Sequence, residues 1–305
     1  MKPCNPERRT YLLAGLSLPG LLALPGCASP LSPSLDSTTS AAARDVLMAS
    51  AKAHGIDALG KLRDLSISYT GEWRPVVDRL QPALVDASFR QGSQERLLLR
   101  EGLVAQSHRG PGGTKQVVRR TDQPPQGEVR VWVNDEVARD TDRRNAAALV
   151  ADGYSLFLLG PMLLAGRPLP MALTGVEAVG GFECDVVQMR LAPGLGFSAA
   201  DRIAMFIDRR ERLMRRVRFT LDGLESTRGA IAEVETFDHV TLHGVRWPTR
   251  FLERLLRPLP LPVHDWRLTG LDLDRGMTAS ELSGPVFTGA AVAPAAPFKQ
   301  AAPAG

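Results

Sequence analysis

Cysteine is scarce in this sequence, which contains three in 305 residues. Cys4 and Cys27 lie near the N-terminus, so only Cys184 remains for the body of the chain. A single cysteine has no partner for an internal disulfide, which excludes a small disulfide-stabilised fold. Because Cys184 alternates with Glu183 and Asp185, its side chain shares a strand face with apolar neighbours. We therefore predict a buried thiol with a structural role.

A large excess of one charge is also lacking. The formal net charge is +4, and it falls to +2 without residues 1–26, which contain three cations and one anion. The arginines are spread along the chain rather than clustered in one segment. This pattern does not support a nucleic-acid-binding surface, and no nucleic-acid partner is expected.

Long hydrophobic runs are missing as well. Residues 11–26 are apolar, but the run is short, contains two prolines and follows Arg8 and Arg9. We predict that residues 1–26 are a lipoprotein signal peptide. The general and the twin-arginine export routes both stay open, because the arginine pair resembles a twin-arginine motif only in part.

The end of this signal resembles a bacterial lipobox, in which a small residue precedes a cysteine that becomes lipid-modified. The residues are Leu24-Pro25-Gly26-Cys27. They predict lipidation of Cys27, and the alternative is an ordinary cleaved signal with an incidental cysteine. Ala28 follows, whereas Asp there would resemble an inner-membrane retention signal. We therefore expect a lipid anchor in the outer membrane, facing the periplasm.

Composition divides the remaining chain into three parts. Residues 27–40 are rich in Ser, Pro and Thr and are predicted to form a tether. Residues 41–288 contain no internal linker and are predicted to form one domain. Residues 289–305 are rich in Ala and Pro and are predicted to form a disordered tail.

The body of the chain is predicted to be mainly β with helices, an α+β fold. Ser40 can cap a helix that ends at His54, and Gly55 can close it. Period-two alternation predicts that strands follow this helix. The turns between the strands of the central meander, residues 180–221, are short, so these strands are predicted to be antiparallel neighbours. The predicted strands are 65–73, 83–90, 96–100, 115–120, 128–134, a three-strand meander within 180–221, and 229–242, 245–255 and 264–273, the last with a bulge at Gly270.

Motifs for catalysis are missing. Residues 196–200 lack the final glycine of a nucleophile elbow. The five histidines do not have the spacing of a metal site, and we interpret them as surface or turn residues. We therefore predict a protein that is not an enzyme and that needs no metal or other cofactor.

One apolar segment, residues 145–166, breaks the β pattern and is too apolar to lie free on a surface. Its part from Asp152 to Leu164, together with the helix that ends at Gly55, the strand 65–73 and the meander 180–221, resembles the periplasmic lipoprotein-carrier and lipoprotein-receptor superfamily (LolA/LolB-like). The resemblance implies a curved antiparallel half-barrel with helices covering the concave face, and an apolar cavity that holds acyl chains.

The apolar side chains of this segment either line such a cavity or fill the core. The residue pattern alone favours a filled core, whereas the resemblance favours a cavity. The predicted ligand-binding residues are Leu156, Phe157, Leu158, Leu159, Met162 and Leu163. Four leucines of the proline-rich stretch 255–263 are predicted either to contact a membrane or to pack on the barrel rim: Leu255, Leu256, Leu259 and Leu261.

These expectations combine into two functional hypotheses. The first is a lipid-anchored periplasmic protein that binds a lipid or the acyl chain of a lipoprotein in an apolar half-barrel cavity, in lipoprotein or lipid trafficking. Its partners are then the lipid and, through lipidated Cys27, the membrane. The second is a non-catalytic envelope scaffold with a filled core and a protein partner.

Overall fold

One large antiparallel sheet forms the frame of the protein in the computed structural model, which describes Leu31, Leu35 and residues 39–298. The described strands are β1 (Asp64–Trp73), β2 (Gly92–Leu98), β3 (Leu103–Gly110), β4 (Gly113–Arg120), β5 (Glu128–Val133), β6 (Glu136–Val137), β7 (Met171–Val179), β8 (Phe182–Leu191), β9 (Asp201–Asp208), β10 (Met214–Thr220), β11 (Ile231–Phe237), β12 (Val240–Leu242), β13 (Val245–Trp247), β14 (Arg250–Arg257) and β15 (Leu261–Leu273).

Thirteen of these strands pair in the order β6-β5-β4-β3-β2-β1-β15-β14-β11-β10-β9-β8-β7, and β12 and β13 form a separate hairpin. The first long strand and the last one meet in the middle of the sheet, where Leu65 pairs with Leu273 and Trp73 with His264. This pairing joins two antiparallel halves that are otherwise local in sequence. A register shift lies beside Gly270, so the predicted bulge is confirmed.

Helices pack on both faces of this sheet. The described helices are α1 (Ala41–His54), α2 (Ile56–Leu59), α3 (Pro75–Leu80), α4 (Pro82–Val85), α5 (Thr141–Leu159), α6 (Pro161–Leu164) and α7 (Ala279–Leu282). Helices α1, α5 and α6 cover one face of the sheet, and α7 packs on the other. The Ser40 hydroxyl accepts a hydrogen bond from the Ala43 N–H, and Gly55 closes α1 at a φ of 95°, so both predicted caps are confirmed. Asp140 caps α5 in the same way.

The largest hydrophobic core lies between α1, α5, α6 and the covered sheet face, and it includes Leu47, Leu65, Leu156 and Phe219. The predicted fold, a curved antiparallel half-barrel with helices on the concave face, is therefore confirmed. No described helix has the length and apolarity needed to cross a membrane.

The segment predicted as a strand at 83–90 is helical instead, so this prediction was wrong. Pro75 and Pro82 each occupy a first helical turn, where the fixed φ of proline favours a helix. Asp86 then has a φ of 50° and starts a short 3-10 turn. Val85 and Phe89 are buried in this irregular excursion, which explains the apolar alternation that resembled a strand.

The predicted disordered tail was also wrong over residues 289–298. Ala291 is buried beside Leu103 and Val118 on the second face of the sheet. Gly270 lacks a Cβ at the point where this segment crosses β15, and a Cβ there would lie 2.9 Å from the Ala296 carbonyl oxygen. Small residues thus allow close packing that a composition argument cannot detect. Residues 299–305 lie outside the described part of the chain.

Candidate ligand-binding cavities

An apolar cavity of about 360 Å³ lies between α5 and the concave face of the sheet. We call it the main cavity. Its helical wall comes from the middle and C-terminal part of α5, with Leu149, Gly153 and Phe157, and its sheet wall includes Phe219 and Leu255. The short helices α3 and α4 form a further side, so the irregular excursion after β1 contributes directly to the cavity. The volume falls in the range of small-molecule sites.

A row of stacked rings lies beside the main cavity and crosses three strands. Trp73 stacks on His264 at 4.0 Å between ring centroids, His264 on Trp266 at 4.5 Å, and Trp266 on Phe251 at 5.0 Å. The row depends on Gly71, because a Cβ at that position would lie 2.4 Å from the Trp266 Cβ. Flat packing of this kind stabilises the floor of the site.

Tyr154 connects the row of rings to the covering helix. Its hydroxyl lies 3.3 Å from His264 Nδ1, and its ring contacts Trp266 at 5.3 Å. Burial lowers the pKa of His264 well below its usual value, so the imidazole is neutral at physiological pH. Helix α5 is therefore held to the sheet by the ring contact of Tyr154 with Trp266 and by the polar contact of its hydroxyl with His264.

Glu253 is the one acidic side chain among the described residues that line the main cavity. Burial raises its pKa to about 7, and the positive charge of Arg90 opposes that shift. Arg90 lies above the ring of Trp73 at 5.8 Å. Glu253 therefore adds a carboxyl group that titrates near neutral pH to a lining that is mostly apolar.

The mouth of the main cavity carries exposed apolar side chains. Leu80 of α3 is 59% exposed and lines the opening. Leu259, at the tip of the hairpin between β14 and β15, is 63% exposed beside Pro258, which also lines the cavity. Single exposed leucines are common on protein surfaces, but these two lie at the same opening and make its rim apolar.

A second cavity of about 370 Å³ lies on the other side of α5. Its helical wall includes Asp152, Ser155 and Leu156, and opposite walls come from Leu97 of β2 and from Leu191 at the end of β8. The small residues Gly153 and Ser155 are two positions apart in α5, so they project in nearly opposite directions. Helix α5 therefore separates the two cavities.

A buried ion pair fixes α5 at the second cavity. Arg119 of β4 donates from Nε to Asp152 Oδ1 at 3.0 Å and from Nη2 to Oδ2 at 2.9 Å. The Gly196 N–H also donates to Asp152 Oδ2, at 2.8 Å. Burial raises the pKa of Asp152 against these favourable contacts. The pair connects the helix to one sheet half and to the loop after β8.

The predicted ligand-binding residues are divided between different environments. Phe157 lines the main cavity, whereas Leu156, Leu159 and Leu163 line the second one. Leu158 contacts only a void of about 10 Å³, and Met162 is buried in the core without lining either cavity. The sequence did not lead us to predict the cavity-lining residues that precede Leu156 in α5, such as Leu149 and Gly153. Gly153 could have indicated them, because a glycine leaves space on a buried helix.

The four leucines of the proline-rich stretch also differ. Leu255 and Leu261 line the main cavity, Leu256 packs on the opposite face of the sheet, and Leu259 is exposed. The stretch forms a β-hairpin rather than an irregular loop, because its prolines occupy the turn and its edges. Only Leu259 has the exposure that direct membrane contact requires.

The interpretation of all five histidines as surface residues was wrong. His54, His108 and His264 are buried, at 2%, 1% and 4% exposure. His54 accepts a hydrogen bond from the Met214 N–H at Nε2, 3.0 Å, so its Nδ1 donates to the Arg246 carbonyl at 3.1 Å. This neutral imidazole, with a pKa lowered to about 4 by burial, joins α1 to the sheet.

The remaining candidate residues are the cysteines and the side chains that could bind a metal ion. Cys184 is buried, and burial raises the pKa of its thiol to about 12, so the predicted buried thiol is confirmed. Cys27 lies outside the described residues. Within the part of the chain that the structure describes, no group of three or more His, Cys, Asp or Glu side chains is arranged to hold a metal ion.

Comparison with known proteins identifies relatives at the level of fold. No protein-family model and no curated protein matches the sequence. A DUF1329 family protein from Desulfovibrio piger has 11% identity, with 79% of this chain and 95% of that chain covered and a TM-score of 0.50. A LolA superfamily protein from Nitrosomonas europaea has 10% identity, coverage of 79% and 96%, and a TM-score of 0.41. The likeness at a TM-score of 0.50 concerns the fold alone, and the described strands and helices form the curved half-barrel that the sequence predicted.

Proposed function

We propose that this protein holds an acyl chain of a lipid or lipoprotein in the main cavity, as a lipid-anchored protein of the cell envelope. The observation that supports this most directly is the cavity of about 360 Å³ between α5 and the sheet, with its apolar and aromatic lining. In this proposal lipidated Cys27 anchors the chain in the outer membrane on its periplasmic side, with residues 27–40 as the tether.

The physical reason is the large gain from removing an acyl chain from water. Each buried methylene contributes about 0.8 kcal/mol, so several methylenes in contact with Phe157, Phe219 and Leu255 give substantial binding energy. Cavities that bind such ligands are lined mostly by apolar side chains with few polar groups. The main cavity fits this description, because its few polar side chains, among them Arg228 and Glu253, lie in a mostly apolar lining.

The exposed leucines at the mouth of the main cavity favour transfer of the acyl chain directly from a bilayer into the cavity. Leu80 and Leu259 lie on two separate elements at the opening, and in this proposal both insert among lipid headgroups. Replacement of Leu259 by Asp is expected to reduce binding to phosphatidylglycerol vesicles in a flotation assay. The matched control is Val137→Asp, because Val137 is 64% exposed on the edge strand β6. Equal vesicle binding by the two variants would refute the membrane role of Leu259.

The main test uses two substitutions on opposite sides of α5. Gly153→Leu projects into the main cavity, where the nearest atoms to an added Cβ belong to the flexible ring of Phe157, at 3.4 Å. Ser155→Leu projects into the second cavity. Saturable binding of a fluorescent sixteen-carbon acyl probe is expected in the natural protein and in Ser155→Leu, and a loss of binding is expected in Gly153→Leu.

A scaffold function has one observation in its favour. Leu158 and Met162 are buried at 5% and 6% exposure and line neither of the two cavities, so part of the apolar segment belongs to a filled core. In that case the folded natural protein takes up no acyl probe, and crosslinking in intact envelopes captures a protein partner instead. Probe binding that Gly153→Leu abolishes would exclude the scaffold hypothesis.

A further inference from the structure

The second cavity is lined by a cation that has no partner among the described residues, whereas the cation that lines the main cavity, Arg228, pairs with Glu225. Arg167, four residues after Leu163, lines its edge and is half-buried. Among the described residues, no carboxylate pairs with its guanidinium and no carbonyl accepts a hydrogen bond from it, and desolvation alone lowers its pKa. Because the guanidinium still reaches solvent and has no partner in the described part of the chain, it is available to an anionic group that enters the cavity.

The other charges of the second cavity cancel. Asp152 is neutralised by its bidentate contact with Arg119, and it also accepts from the Gly196 N–H. The Nη1 group of Arg119 is buried and has no hydrogen-bond partner. Arg167 therefore leaves the cavity with one net positive charge, and Arg119 adds a free donor.

The apolar part of the lining fits a hydrocarbon tail. Leu97, Leu156, Leu159 and Leu191 line the interior, while Leu163, at 37% exposure, lies towards solvent near the cation. The cavity thus has a cation near its opening and leucines inside. A ligand that matches both has an anionic group at one end of an apolar chain, since guanidinium groups bind carboxylate and phosphate oxygens in a bidentate manner.

We infer that the second cavity is a binding site for a single-chain anionic amphiphile, with Arg167 as the residue that binds its carboxylate or phosphate group. This site is separate from the acyl-chain site of the main cavity, because α5 lies between them. The protein therefore holds two different amphiphilic ligands, or two parts of one lipid, on opposite sides of one helix.

The inference is tested by calorimetric titration of the purified full-length protein with three twelve-carbon ligands below their micelle concentrations. The ligands are laurate, dodecyl phosphate and the neutral alcohol dodecanol. Laurate or dodecyl phosphate is expected to bind about tenfold more tightly than dodecanol, because of the charge-assisted contact with Arg167. The preferred anion shows whether a fatty acid or a lipid phosphate is the better match, and equal binding of all three ligands would overturn the inference.

Variants place the binding in the correct cavity. Arg167→Gln is expected to remove the preference for the anions, and Arg167→Lys to retain most of it, because Lys retains the positive charge. Ser155→Leu is expected to remove the preference for the anions, whereas Gly153→Leu is expected to leave that preference unchanged, because the main cavity does not contain Arg167. Anion preference that persists in Arg167→Gln, or that is lost in Gly153→Leu instead of Ser155→Leu, would contradict the assignment.

This design separates the two proposals. Failure of the main-cavity proposal appears as an unchanged acyl-probe affinity in Gly153→Leu, and this has no effect on the comparison of laurate with dodecanol. Circular dichroism of each variant shows whether it is folded. Arg167 is suited to substitution because its side chain makes no ion pair or hydrogen bond within the described residues, and its backbone hydrogen bonds remain in any variant.

Discussion

Replacement of the buried acid Glu95 by Gln is expected to make the protein more stable at pH 8 but not at pH 4.5. Glu95 lies on β2 with 2% exposure, and it accepts a hydrogen bond from Gln106 Nε2 at 2.5 Å. Gln at this position has nearly the same shape and still accepts that bond. The substitution therefore removes the titration of one carboxyl group and little else.

The magnitude follows from the pKa of this group. Burial raises the pKa of Glu95 from 4.5 to about 7, while the Gln106 contact and the charges of Arg90 and Arg96 oppose the shift. Between these two values the native state binds more protons than the unfolded chain, so the free energy of unfolding falls as the pH rises. A difference of about 2.5 units corresponds to a loss of about 3 kcal/mol, complete above pH 7. Solvent relaxation makes this an upper limit.

The assay is urea unfolding followed by tryptophan fluorescence at pH 4.5, 6, 7 and 8. The difference in unfolding free energy between the variant and the natural protein is expected to increase by up to about 3 kcal/mol across this series. Glu253, with a pKa also near 7, remains in both proteins and cancels in the comparison. Glu128→Gln is the control, because the Glu128 side chain is 43% exposed. Parallel stability profiles for Glu95→Gln and the natural protein would refute the reasoning.

Three further substitutions test other parts of the fold by the same urea assay. Gly71→Ala is expected to lower stability by about 2 kcal/mol, because its Cβ meets Trp266 at 2.4 Å; a neutral result would show that the stacked rings can move. Asp152→Ala is expected to cost about 3 kcal/mol, because it leaves Arg119 buried and unpaired, and rescue by Arg119→Met in the double variant would confirm that cause. Gly153→Leu is expected to raise stability by about 2 kcal/mol through helix propensity and buried apolar area, and a loss of stability would show that the main cavity has no room.

Local signals in the sequence predicted much of the fold. The caps of α1 are set by the residues one position outside the helix, Ser40 and Gly55. The alternation of apolar and polar residues in a strand indicates that one face of the strand is buried. Ser40, Gly55 and the strand at 65–73 are examples in which the nearest neighbours in sequence decide the structure. The segment at 83–90 failed because Pro82 favours a helical turn, and this overrides a short apolar alternation.

The ligand sites could not be located in the same way. Trp73 and His264 are almost two hundred residues apart and become neighbours only through the pairing of β1 with β15. The Arg119–Asp152 ion pair likewise joins a strand to a helix that follows after a loop and two further strands. Contacts of this kind depend on the complete sheet, and no local pattern in the sequence records them.

Helix α5 shows why a cavity is harder to predict from sequence than a helix that covers the sheet. From Ala146 to Leu159 nearly every side chain is buried, so the sequence has no polar stripe that separates one side of the helix from the other. The sides of the helix differ in the volume of their side chains. Gly153 faces the main cavity and Ser155 the second one, whereas Leu158 fills the space available to it. On a helix buried on all sides, small residues mark where side-chain atoms are absent and a ligand can bind, and large apolar residues mark where the core is complete.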